Sequence, residues 1–118
     1  MNRITTLWAI GLLLLQSVWL APAGANELPA GVLRAGTLAN QKLVRDTMVG
    51  VVVQVSLRGC DKPMAFRPYV LAMPTGPVGS RHWVEEWVVS GCNREYPLTI
   101  DFSEDGLDAA NWAIRQGR

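Results

Sequence analysis

His82, Glu85 and Glu86 are the side chains best suited to chemistry in this sequence, because a histidine beside carboxylates can hold a metal ion or move protons. Spacing decides between those uses. On a strand, His82 and Glu86 share a face but lie roughly 13 Å apart at about 3.3 Å per residue, too far to chelate one ion. Only a helix would bring them together. Arg81 to Ser90 alternates as a strand, so the histidine and both carboxylates are expected at its solvent-exposed edge, with no metal site and no catalytic role. His82 is also the single histidine, and Ser56, Ser80, Ser90 and Ser103 stand in no G-x-S-x-G setting, so nucleophilic hydrolysis lacks its parts. Acid pairs for glycoside cleavage could be drawn from Glu85, Glu86, Asp101 or Glu104, but only their separation would give such a pair meaning. Gly76 and Gly79 follow prolines in a turn and form no phosphate loop. No cofactor is expected.

Cys60 and Cys92 have neither the C-x-x-C spacing of a redox pair nor enough companions for zinc, which points to a disulfide. In the chain-entropy picture such a bond adds roughly 3.7 kcal/mol to a small domain. Trp83 and Trp87 share one face of the same strand. They are expected in the core with Trp112; if exposed, together with His82 and Glu85, they would form a binding face for a sugar ring or a partner protein.

The start of the chain suggests where this chemistry takes place. Arg3 is the only charge before an uncharged run from Ile4 to Leu20, and small residues follow from Ala21 to Ala25. That order predicts a signal peptide over residues 1 to 25, cleaved after Ala25. Gln16 and Ser17 interrupt the run and Pro22 and Gly24 end it, which favours cleavage over a retained membrane anchor. Losing Arg3 takes the formal charge from +1 to 0. A neutral domain has no electrostatic case for nucleic acid, and no further segment is apolar enough to span a bilayer.

Residues 26 to 36 read as a flexible lead-in, and residues 37 to 118 as one disulfide-linked, β-rich domain. Thr37 can cap a helix running to Met48 with Gly50 as its stop, although Leu38 to Met48 also suits a strand. Val51 to Arg58 is expected as a strand, given four β-branched valines and Gly59 at its end. Met64 to Met73 is expected on a sheet edge, where Pro68 does no harm. Strands follow at Arg81 to Ser90, at Tyr96 to Phe102 and around Trp112 to Ile114. The disulfide would then tie the end of the Val51 strand to the end of the Arg81 strand.

Trp83, Glu85, Trp87, Val89 and Cys92, read as W-x-E-x-W-x-V-x-x-C and followed by the alternating run to Phe102, resemble a motif of small secreted bacterial proteins of unassigned function. The resemblance implies a Trp-rich hairpin closed by Cys92 and no activity. The expected fold is α+β or mainly β: a small antiparallel meander of four to five strands, with or without one N-terminal helix packed on it, and one disulfide. The expected function is that of an exported, non-enzymatic binding or accessory protein of the periplasm or cell exterior. Its partner would be an envelope protein or a glycan. A ligand binder using the Trp face is the alternative, ahead of a small hydrolase.

Overall fold

The structure is a computed structural model that describes residues 27–116, so the expected signal peptide lies outside the described residues. Five strands form one antiparallel sheet in chain order: β1 (Arg34–Ala35), β2 (Pro63–Thr75), β3 (His82–Gly91), β4 (Arg94–Glu104) and β5 (Ala110–Ile114). Among the described residues one helix, α1 (Gln41–Leu57), packs on one face. This is the α+β meander expected from the sequence.

Alternation places the core. Tyr96, Leu98, Ile100 and Phe102 of β4 are buried on the helix side, and the intervening residues face away. Across the ladder, Trp83 pairs with Phe102, Trp87 with Leu98 and Val89 with Tyr96, so the inward set of β3 meets that of β4. Trp83 stacks on Phe102 with ring centroids 5.1 Å apart, and Phe66 closes over Trp87 at 5.0 Å. Such contacts add about 0.5–1.5 kcal/mol each beyond area burial. Between β3 and β4, Cys92 and Asn93 form a two-residue turn with φ of 52° and 58°, the backbone of a type I′ hairpin.

One stretch departs from expectation. Val51 to Arg58 is helical rather than extended: α1 runs through it without a break, and Gly50 lies mid-helix instead of ending one. Leu43, Thr47, Val51 and Val55 recur every fourth residue and are the buried residues of α1. Placing valine in a helix costs a few tenths of a kcal/mol each. Burying Leu43, Val51 and Val55 against the sheet returns about 1.5–3 kcal/mol each, so packing overrides local preference. The N-cap is Asn40, whose side chain accepts from the Leu43 amide at 2.8 Å, and not Thr37. Gly59, at φ 104°, follows the C-cap. Gly50 lets the helix pack closely against β5: a β-carbon there would sit 2.6 Å from Cζ3 of Trp112.

The strand β2 is not at the very edge of the sheet, because part of the lead-in pairs with it. Leu33 donates its amide to the Val70 carbonyl at 2.8 Å, and Gly36 donates to the Pro68 carbonyl at 2.9 Å. Since N and O of a strand residue point the same way, the donor that Pro68 lacks faces this short β1 side.

Gly91 ends β3 beneath the disulfide. A β-carbon there would lie 2.8 Å from the Lys62 carbonyl oxygen and 3.0 Å from both Cys60 Sγ and the Pro63 Cα. Backbone cannot step aside as a side-chain tip can. We expect Gly91→Ala to destabilise the oxidised domain by about 1–3 kcal/mol in urea unfolding, and an unchanged midpoint would refute this close packing.

Candidate functional site

Glu85 is fully buried, not at a solvent-exposed edge as its charge led one to expect. Its register partners are Val70 and Ile100, which offer it no polar contact. The donors come from elsewhere. Trp83 and Trp87 flank it at two residues on either side, so strand pleating sends all three side chains to one face. The Trp83 indole N–H donates to Oε1 at 3.1 Å and that of Trp87 to Oε2 at 2.7 Å. From above, the Leu38 amide donates to Oε1 at 2.7 Å, and the Thr37 hydroxyl lies 3.0 Å from Oε1 and 2.8 Å from Oε2. Thr37 Oγ1 in turn accepts from the Ala39 amide at 3.0 Å. Both carboxylate oxygens are therefore satisfied by neutral donors, and among the described residues no ion pair reaches them. The carboxylate pins the segment leading into α1 onto the sheet.

The other candidates are dispersed. Glu86 is half-buried on the opposite face of β3, between Tyr69 and Thr99 in the register. His82 is exposed at the start of β3, and its carbonyl accepts from the Thr75 hydroxyl at 3.4 Å. His82, Glu85 and Glu86 thus do not converge. Trp87 is 0% and Trp83 7% exposed, so they offer no open aromatic platform for a sugar ring. Trp112 is partly buried against the same cluster. Asp101 is also engaged: Arg115 donates to it from Nε at 2.7 Å and Nη2 at 2.8 Å, and this guanidinium holds the Asp101 carboxyl below the usual carboxylate range.

Cys60 and Cys92 form the disulfide, with Cα atoms 5.8 Å apart. It joins the chain just past the end of α1 to the β3–β4 turn, rather than the ends of two strands as expected, because the segment before Cys60 is helix. The opposite end of the sheet is open, and a cleft of about 550 Å³ lies there. That volume is within the range of small-molecule sites.

The cleft runs between the start of α1 and the far ends of β3 and β4. Leu38, Leu43 and the edge of Trp83 make its apolar floor, directly in front of the Glu85 network. Its rim is charged. Lys42 pairs with Asp46 at 2.7 Å, one helical turn on. Arg81 pairs with Glu104 through its guanidinium, while its amide donates to Glu104 Oε1 at 3.1 Å and its carbonyl accepts from the Glu104 amide at 2.8 Å. The hydrogen-bonded Arg81 side chain holds the Glu104 carboxyl below the usual range. The last wall is the β4–β5 loop. Asp105 Oδ1 accepts from the amides of Leu107 at 2.7 Å and Ala109 at 3.2 Å, and the Asp105 amide donates to the Ala109 carbonyl at 3.0 Å. This Asx-type closure fixes the loop and sets Asp108, at φ 60°, on the rim.

Sequence reasoning missed the cleft. Part of its rim had a signal: counting outward from the Cys92–Asn93 turn brings Arg81 opposite Glu104. Thr37 and Leu38 had none, since their role depends on where the lead-in crosses the sheet. Comparison with protein-family profiles, with curated proteins and with solved structures finds no match to this chain.

Proposed function

We propose that this chain is an exported, non-enzymatic binding protein of the cell envelope, and that it works through the cleft at the open end of the sheet. The cleft carries the reading: it combines an apolar floor with a charged rim on a scaffold held by the Glu85 network behind it and the disulfide at the other end. Rigid elements under a concave surface are the arrangement expected of a binding site. The leader-like order of residues 1 to 25 and a disulfide in a small domain support an oxidising compartment. Among the described residues, no helix is long and apolar enough to cross a membrane.

Capture from envelope and culture-supernatant fractions tests this reading, using the oxidised chain from residue 26 in parallel with Ala109→Trp. Ala109 is exposed and lines the cleft, so an indole there fills the site without touching the core. We expect one enriched partner or small molecule that Ala109→Trp loses by tenfold or more. Equal recovery by both proteins, or none by either, would refute binding through the cleft.

A further inference from the structure

The rim of the cleft has a charge imbalance that selects among ligands. Two cations and three carboxylates line it, and two of those carboxylates are already engaged: Asp46 by Lys42, and Glu104 by Arg81. Asp108 is the remainder. Among the described residues it has no side-chain hydrogen bond and no ion pair, although it faces the same cleft. Its placement is enforced by the Asp105 closure described above, which holds a non-glycine residue at positive φ, a conformation that Asp and Asn tolerate better than most. The floor beside it is apolar, and its indole and leucines offer no charge of either sign. A ligand matching this surface carries an apolar body for Leu38, Leu43 and the Trp83 edge, and one positive group for Asp108.

Resting on the cleft as the binding site, we propose that its ligand is a small hydrophobic cation, an amine or guanidine on an apolar body, with Asp108 as its counter-charge. Lys42 and Arg81 do not compete for Asp108, because each is held by its own carboxylate. An anionic ligand would meet a rim on which three carboxylates outnumber two cations and would approach Asp108 as a like charge, so carboxylates of the same shape are disfavoured.

A titration of the oxidised, ¹⁵N-labelled domain tests this with three probes of one body: 2-phenylethylamine, 2-phenylethanol and 3-phenylpropionate. Readouts are the amides of Leu38, Leu43 and Ala110 and the Trp83 indole N–H. We expect the amine to shift these signals with an affinity about fivefold above the alcohol, the carboxylate to be weakest, and the amine's advantage to fade as salt is raised. Asp108→Asn keeps a residue suited to positive φ and should reduce amine binding to the alcohol's level, with the rest of the spectrum unchanged. Equal binding of amine and alcohol, or full amine affinity in Asp108→Asn, would overturn the cationic assignment while leaving the cleft as the site. No shift at the cleft with any probe at millimolar concentration would overturn both.

Discussion

Glu85→Ala should cost the domain about 3–5 kcal/mol, a third or more of the stability typical of a domain of this size. The mechanism is the loss of a shared acceptor. The Trp83 and Trp87 indole N–H groups point into the interior at Glu85 and, among the described residues, have no other partner. Each such buried donor, left unmade, costs about 1–3 kcal/mol. The Thr37 hydroxyl and Leu38 amide are closer to the surface and can recover part of their loss through water. Glu85→Gln is the sharper variant. It preserves shape and one acceptor oxygen but turns an amide N–H₂ toward a donor, so about 2–3 kcal/mol should be lost with almost no change in volume. Urea unfolding measures the total, and hydrogen exchange at Leu38 reports whether the lead-in has been released. Wild-type unfolding in Glu85→Gln would mean that the carboxylate is a passenger of the core and not what holds the lead-in down.

Removing the disulfide should have a comparable effect and a second consequence. For a sequence separation of 32, the chain-entropy relation gives roughly 3.7 kcal/mol for Cys60→Ser combined with Cys92→Ser. The bond sits just beyond the end of α1, whose Val49–Val55 stretch has strand-forming side chains, no charge and no proline. Segments of that composition pair as strands when freed from their packing. We therefore expect the double-serine protein, or the reduced wild type, to lose helical signal and form thioflavin-positive aggregates under conditions where the oxidised domain stays monomeric. Val53 is about half exposed on the outer face of α1, so Val53→Lys should suppress aggregation without filling or emptying the core. A reduced protein that stays helical and monomeric, with its unfolding midpoint unmoved, would refute this view.

What could be read in the sequence follows from which signals are local. The strands β3 and β4 were legible because period-two alternation is strong over Trp83 to Val89 and Tyr96 to Phe102, and the pair closes through a short turn. The disulfide was legible from the cysteine count and from a spacing that suits neither a redox motif nor zinc. The second half of α1 was not, because a valine run satisfies a strand's alternation and a helix's four-residue stripe equally, and only the sheet beneath it chooses. Glu85 was misjudged for a different reason. A carboxylate on a strand is normally solvated, and its burial depends on donors brought by Thr37 and Leu38, far away in the chain. A partial clue existed in the indoles placed two residues to either side on the same face. Of the cleft only the Arg81–Glu104 part of the rim had a signal, through the hairpin register, since the rest is assembled from the start of α1 and the β4–β5 loop.

The Cys60–Cys92 bond also bears on how the chain matures. A polypeptide with two cysteines has one possible intramolecular pairing, so there is no wrong isomer to shuffle. Oxidative folding then requires a thiol oxidant but no disulfide isomerase. Timing matters as well. In synthesis from the N-terminus, Cys60 and the whole valine-rich helix emerge before Cys92 exists, so the bond can close only after the strand β3 has been delivered. Until then the segment most prone to self-association is the one awaiting its covalent anchor. Production of this domain should accordingly be limited by the supply of oxidant and by chaperone cover during that interval.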